Sequence, residues 1–291
     1  MLTLRAPAKI NLTLEVLARR DDGYHAIRSV MVPIDLADEL TIEPSSGFSF
    51  SCDRRDLDGE HNLAFAALRA LGELPIRVEL RKRIPTQAGL GGGSSDAATV
   101  LRAAMTGAIG NAAEHDWLSL ARSLGSDVPF FLTGTAALVE GTGERVTPAG
   151  AIPRWHLLIV KPPAAVSTAD AYAQLDRHVR PQRPRKGSVS LALLEALQRS
   201  DFARVESLMQ NDFQNAIASQ VPEIATAIDA LRRAGATNVL LAGSGACVFT
   251  LAAQANRIGA LCERLDLPAA YERFTTAFAA TPDWLAECPS G

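Results

Sequence analysis

From Lys9 to Val16 the chain sets Ile10, Leu12, Leu14 and Val16 against Asn11, Thr13 and Glu15. This period of two predicts a strand with one buried face and Asn11 turned away from Ile10. Asp21-Asp22-Gly23 reads as a turn, and residues 27–34 and 39–42 predict two further strands. The Ala/Leu-rich stretch 62–71 predicts a helix. Ile76, Val78 and Leu80, alternating with Arg77, Glu79 and Arg81, predict a strand that is closed off by Pro85. Next comes a run of small residues, Ala88-Gly-Leu-Gly-Gly-Gly-Ser-Ser-Asp96, leading into Ala97-Ala-Thr-Val-Leu-Arg-Ala-Ala104. The second segment is a strong helix former, with Ser94, Ser95 or Asp96 available as its cap. The order is strand, glycine loop, helix.

A helix is predicted near 117–124, then a strand pair around 136–139 with a turn at Gly141-Thr-Gly143. The stretch 148–153 is the best candidate boundary, dividing the chain into domains 1–150 and 151–291. The second part predicts a strand at 155–160, a helix from Thr168, and an exposed basic, proline-rich loop at 177–186. Helices at 191–198, 222–233 and 258–265 follow, with strands at 239–241 and 248–251 around Gly243-Ser-Gly245 and a last strand at 271–277. The class is α+β. No repeat and no low-complexity tract interrupts it.

The chain has 291 residues, 47% of them hydrophobic, enough to bury a substantial core. Its 29 Lys and Arg against 32 Asp and Glu leave a net charge of −3, which argues against a nucleic-acid partner while leaving room for a small phosphorylated ligand. Cys52, Cys247, Cys262 and Cys288 form no CxxC pair, so neither a disulfide scaffold nor a zinc site is expected, and a reducing cytoplasm is the simplest setting. Charges and Pro7 interrupt the N-terminus where a signal peptide needs an apolar run. The charge-free segment 234–256 is broken by Gly235, Asn238, Gly243, Gly245 and Gln254 into strand-length pieces, so no membrane partner is expected.

Four stretches carry candidate chemistry. In the glycine loop, successive backbone N–H groups and a helix N-terminus suit phosphate oxygens. It is not a Walker A loop, since no lysine follows the glycines. It also misses the dinucleotide fingerprint, because Gly-x-Gly-x-x-Gly counted from Gly89 meets Ser94, which disfavours a dehydrogenase. In Gly125-Ser-Asp127-Val-Pro129 the aspartate is either a base or a cap for backbone N–H groups. In Pro7-Ala-Lys9-Ile-Asn11 a lysine opens a strand. Gly243-Ser-Gly245 is either a plain hairpin or a point of close backbone approach to a ligand or to the glycine loop.

Together these four match the motif order of the GHMP kinase superfamily, which the chain resembles over most of its length. The resemblance runs through Ala6-Pro-Ala-Lys-Ile-Asn-Leu12, Asp22-Gly-Tyr-His25, Asn62-Leu63, the glycine loop, Gly125-Ser-Asp-Val-Pro129, Lys161-Pro-Pro, Val166-Ser-Thr168, Asn211-Asp212 and Gly243-Ser-Gly-Ala-Cys-Val-Phe249. Asp-Gly-Tyr-His is similar to the branch that acts on 4-diphosphocytidyl-2-C-methyl-D-erythritol. Homoserine- or mevalonate-type kinases, and a catalytically silent nucleotide-binding regulator on the same fold, are the rival readings.

The resemblance implies an S5-like N-terminal domain and a ferredoxin-like C-terminal domain, with ATP carrying Mg2+ into the cleft. It implies Asp127 as base on the acceptor hydroxyl with Lys9 beside it, Gly89, Gly91, Gly92, Gly93, Ser94 and Ser95 at the phosphates, and Asn62 at adenine. Asn11, Gly243 and Ser244 are implied at the substrate, with Tyr24 stacking on cytosine and His25 hydrogen-bonding to it. Asp96 either orients the metal through water or caps the helix. The loop 177–186 holds no Phe, Tyr or Trp, so Tyr172 or an arginine covers the other face of the base. Ala242 stands where relatives often carry serine. The resemblance further implies a monomer or homodimer.

Overall fold

The computed structural model describes residues 1–19, 25–72, 74–110, 115–178 and 187–280. The expected Asp21-Asp22-Gly23 turn, Tyr24, Cys288 and nearly all of the 177–186 loop lie outside them.

The chain opens with β1 (Leu2–Asn11), β2 (Thr13–Arg19), the 20-residue β3 (His25–Pro44) and β4 (Ser49–Cys52). Two strands were expected where β3 now runs unbroken. Opposite the step from Pro7 to Ala8 in β1, β3 bulges by two extra residues, Asp35 and Leu36, so pairing continues from Pro7–Ala37 to Ala8–Ile34 across the bend. After α1 (Leu63–Ala70) and β5 (Ile76–Arg81), the glycine loop enters α2 (Gly92–Met105), followed by α3 (Trp117–Leu124), α4 (Val128–Thr133), β6 (Ala137–Gly141) and β7 (Arg145–Pro148). β3 organises this sheet: β1, β2, β5 and β6 all pair with it antiparallel. Its apolar side packs on α2, whose run of Ala97, Ala98, Val100 and Leu101 is buried.

The second half contains β8 (His156–Lys161), α5 (Thr168–His178), α6 (Val189–Gln198), α7 (Phe202–Leu208), β9 (Gln210–Asn211), α8 (Gln214–Ala218), α9 (Pro222–Arg233), β10 (Leu240–Leu241), β11 (Val248–Ala252), α10 (Ala255–Arg264) and β12 (Glu272–Ala277). Its sheet runs β10-β11-β8-β12, all antiparallel. Counted within this half the order is 2-3-1-4, the ferredoxin-like βαββαβ arrangement, with extra helices inserted after its first strand. The short helices α7 and α8 are not legible in the sequence pattern.

The halves share a core. Ala8, Ile10 and Val32 from the first sheet pack with Trp155, Leu157, Phe249 and Phe278 from the second. β9 crosses over to pair in parallel with Thr13 and Leu14 of β2. The one-face expectation for residues 9–16 therefore fails: Asn11, Thr13 and Glu15 are as buried as their apolar neighbours. Helix α6 covers their side, and Ser190 at its start bonds to both Thr13 Oγ1 (2.8 Å) and Glu15 Oε2 (2.6 Å).

Candidate functional site

A cavity of about 1230 Å³ lies between the halves, and residues of all four motifs line it. Its wall near α2 is the glycine loop. Gly89 and Gly91 take φ of +75° and +72°, conformations an L side chain resists, and Gly91 itself is the N-cap of α2. The expectation that Ser94, Ser95 or Asp96 caps this helix is corrected: all three lie inside it, because the left-handed turn at Gly91 starts the helix earlier. The loop is fastened on two sides. Lys9 N–H donates to Leu90 O (2.9 Å), while the N–H groups of Ala246 and Cys247 donate to Gln87 O and Ala88 O (both 3.2 Å). Gly243-Ser-Gly245 is thus a turn pressed against the glycine loop, the second of the two sequence alternatives.

Gly89, Gly91, Gly92, Gly93 and Ser94 face the cavity. Ser95 does not. It is wholly buried inside α2, so its assignment to the phosphates is corrected: one residue along the helix turns its side chain into the packing instead of the cleft. Asn62 lines the cavity, but its side chain is committed as the cap of α1, accepting from Ala64 N–H and donating to Leu57 O, both at 2.9 Å.

Lys9 and Asp127 meet. Lys9 Nζ lies 3.4 Å from Asp127 Oδ2, with the lysine 4% and the aspartate 26% exposed. Asp127 occupies the N-cap position of α4 yet makes no side-chain cap bond, which leaves its carboxylate free to reach the lysine. Asn11 Oδ1 accepts from Lys9 Nζ at 2.9 Å, and Asn11 Nδ2 donates to Ser29 Oγ at 2.8 Å. Asn11 is thereby a brace for Lys9 at the cavity wall more than a free donor to a ligand. Gly243 sits against the same ammonium, since a Cβ there would be 3.2 Å from Lys9 Nζ.

Sequence reasoning gave Asn211 and Arg102 no role. Asn211 Nδ2 donates to Leu241 O (2.8 Å) and Gly243 O (2.7 Å), holding the turn in place. Arg102, buried in α2, donates to Phe131 O at 2.8 Å and so ties α2 to the helix that begins after Asp127; burial lowers its guanidinium to about 10. Asn211 stands in one of the motifs that carry the resemblance but was given no role there, and Arg102 stands in none.

His25 and Tyr172 also line the cavity, stacked with ring centroids 5.2 Å apart and planes 11° from parallel. Burial, with Asp127 adding to it, pushes the Tyr172 hydroxyl up to about 12, so it is a neutral donor. Ser244 Oγ lies 3.2 Å from Thr168 Oγ1 at the cavity edge.

Asp96 neither caps nor stands free. Its Oδ2 lies 2.5 Å from Lys82 Nζ, which is also 2.5 Å from Asp38 Oδ2. Among the described residues no group of three or more His, Cys, Asp or Glu is placed to hold a metal ion, and no helix is long and apolar enough to cross a membrane.

Residues 62–135 match the model of the GHMP kinases N-terminal domain, and residues 193–267 match that of the GHMP kinases C-terminal region. One match in each half, around one cleft, defines a GHMP kinase fold. A 4-diphosphocytidyl-2-C-methyl-D-erythritol kinase from Deinococcus radiodurans is 42% identical over 257 residues, 85% of this chain and 83% of that protein. One from Pelotomaculum thermopropionicum is 39% identical over 277 residues, 91% of this chain and 95% of that protein. A crystal structure of 4-(cytidine 5'-diphospho)-2C-methyl-D-erythritol kinase superposes with a TM-score of 0.78 at 36% identity, covering 96% of this chain and all of that one. The chain belongs to the GHMP kinases and, within them, to the 4-diphosphocytidyl-2-C-methyl-D-erythritol kinase family. A homoserine kinase from Cytophaga hutchinsonii, at 18% identity and a TM-score of 0.68, shares the fold alone.

Proposed function

We propose that this protein transfers the γ-phosphoryl group of ATP to the 2-hydroxyl of 4-diphosphocytidyl-2-C-methyl-D-erythritol, giving the 2-phosphate and ADP, a step of the non-mevalonate route to isoprenoid precursors. The observation that carries the reading is the Lys9–Asp127 pair, 3.4 Å apart, in one cavity with the glycine loop and the His25–Tyr172 stack. Residues 1–150 supply the nucleotide site and the catalytic pair, and residues 151–291 close the cleft. The reducing cytoplasm is its setting.

The glycine cradle suits a triphosphate. The left-handed turns at Gly89 and Gly91 and the first turn of α2 offer backbone N–H groups and the positive end of a helix dipole. Mg2+ enters bound to ATP, where it neutralises charge on the phosphates. Asp127 accepts a hydrogen bond from the 2-hydroxyl, orienting its oxygen toward the γ-phosphorus, and takes the proton as the O–P bond forms and the bond to the β-phosphate oxygen breaks. Lys9, held by Asn11, stabilises the negative oxygens of the transferring group. Positioning contributes most, because phosphoryl transfer needs little proton removal early.

ADP release measured with the cytidine-linked acceptor, homoserine and mevalonate side by side tests this. Turnover is expected with the first alone. Turnover with homoserine or mevalonate, and none with the cytidine-linked acceptor, would overturn the proposal.

A further inference from the structure

Between β1 and β2 the regular pairing along β3 is interrupted. That of β1 ends at Asn11 with Met31, and that of β2 begins at Glu15 with Arg28. Leu12 N–H still donates to Val30 O at 2.8 Å, and beyond it two hydroxyls fill the gap. Val30 N–H donates to Thr13 Oγ1 at 2.9 Å, and Ser29 Oγ donates to Thr13 O at 2.6 Å. Ser29 is 0% exposed, and its backbone is registered with Val139 of β6 on the other edge of β3. Its hydroxyl has a single hydrogen, and Thr13 O takes it, so toward any further neighbour Ser29 Oγ offers only lone pairs. That neighbour is Asn11 Nδ2, at 2.8 Å. An amide carries its donor and its acceptor on opposite arms, so holding Nδ2 on Ser29 aims Oδ1 at Lys9 Nζ, 2.9 Å away. Each link runs in one direction: Lys9 donates to Asn11, Asn11 to Ser29, and Ser29 to the backbone of β2.

We propose that Ser29 is a positioning residue for phosphoryl transfer: buried and outside the cavity lining, it orients the Asn11 amide, which in turn holds Lys9 Nζ beside Asp127. The effect on rate rests on the function proposed above; the orientation of Asn11 does not. Lys9 ends a flexible four-carbon stem, and Asp127 at 3.4 Å fixes it from one side only. Asn11 supplies the second fixed point, and it is a fixed point because Ser29 stops its amide from turning. Ser29 touches neither ligand and acts through Asn11 alone.

Ser29→Ala is expected to lower kcat about fivefold, the rate equivalent of one hydrogen bond, with the KM for ATP unchanged. Ser29→Cys stays closer in size, offers only a weak donor and acceptor, and should lose as much. The cycle with Asn11→Ala separates positioning from a general loosening of the fold: once Asn11 is truncated, Ser29→Ala should change kcat no further. NMR of the Asn11 side-chain amide in the free protein reads the link without catalysis. Its Nδ2 hydrogens should exchange slowly with water in the wild type and faster in both Ser29 variants. Equal losses with and without Asn11, an undiminished kcat in both Ser29 variants, or amide hydrogens as slow in the variants as in the wild type overturn the proposal. A wild type that ignores the cytidine-linked acceptor overturns the proposed function instead, while the amide hydrogens still decide what Ser29 does to Asn11.

Discussion

Gly89 and Ala242 meet backbone to backbone: a Cβ placed on Gly89 would overlap the carbonyl oxygen of Ala242 and lie 3.1 Å from Gly245 N. The glycine loop and the Gly243-Ser-Gly245 turn, more than a hundred residues apart in the chain, are thereby one construction, and the turn in turn rests on Lys9. Gly89→Ala adds a methyl group where neither backbone can yield, at a left-handed φ of +75°. Left-handed strain and overpacking together cost about 3 kcal/mol. Gly93→Ala is the contrast, since its Cβ would meet only the Leu63 side chain, at 3.6 Å and beyond, within a helix. It should leave stability equal or raise it by up to about 1 kcal/mol, and show its effect in the KM for ATP. Chemical denaturation of the two variants checks this, and equal midpoints would contradict the close contact.

The catalytic assignment makes a graded expectation. Asp127→Asn and Lys9→Ala should each lower kcat by roughly 10²–10⁴ with the fold intact. The double variant should be little worse than either single one, because both act on one phosphoryl transfer. Asn11→Ala removes the brace at 2.9 Å while leaving both charges in place. A loss of about tenfold in kcat is expected, with an unchanged KM for ATP. Full additivity of the Lys9 and Asp127 losses would argue that the two residues do not act as a unit.

The pattern of apolar positions places most helices and strands, because α9 and β5 each bury one clear stripe or face, whereas α2, legible from its helix-forming residues, is buried on every side from Ser95 to Ala104. It fails where polar residues are buried by partners distant in sequence. Asn11, Thr13 and Glu15 read as solvent-facing, yet Ser29, Ser188 and Ser190 satisfy them in the interior. Ser95 reads as a phosphate ligand beside Ser94, yet one step along a helix turns it into the core. The meeting of Lys9 with Asp127 was legible only through the family resemblance, since each motif by itself left a plainer reading open. The roles of Asn211 and Arg102 depend on which carbonyls the fold brings near, and no local spacing encodes that.

Glu15 joins β2 to the start of α6. Its carboxylate accepts from Ser188 Oγ at 2.9 Å, Ser190 N–H at 3.0 Å and Ser190 Oγ at 2.6 Å. Burial is the largest single influence and pushes this carboxyl up, but the hydrogen bonds from Ser190, Ser188 and Val189 together outweigh it, so the group stands below its usual value. A carboxylate lowered on folding adds stability that is fully present above the unfolded value, about 4.3, and is lost as pH falls through the folded value. Thermal melts across the acid range should therefore show the wild type losing stability below about pH 4.5 more steeply than Glu15→Gln. Parallel acid limbs in the two proteins would rule this contribution out.

Asp96 carries the opposite sign. It is 1% exposed, its Oδ1 has no hydrogen-bond partner, and its Oδ2 shares the Lys82 ammonium with Asp38. Asp38 has further support, since its Oδ1 accepts from the N–H groups of Arg83 and Ile84. Two carboxylates beside one ammonium in a dry site cannot both ionise cheaply, and Asp96, with fewer donors, is the one that keeps a proton. Burial raises its carboxyl well above the usual range and prevails over the opposing pull of Lys82, while Asp38 adds to the rise. The unfolded chain ionises this group near about 3.9, so stability falls as pH rises from there toward the folded value. Asp96→Asn puts a neutral amide of the same shape in place of the neutral acid and leaves the Lys82–Asp38 pair intact. The variant should lose this decline with rising pH and melt at or above the wild-type temperature at neutral pH. A variant that melts well below wild type near neutrality, with a pH profile parallel to it, would show that Asp96 is ionised in the fold and that its charge is what Lys82 requires.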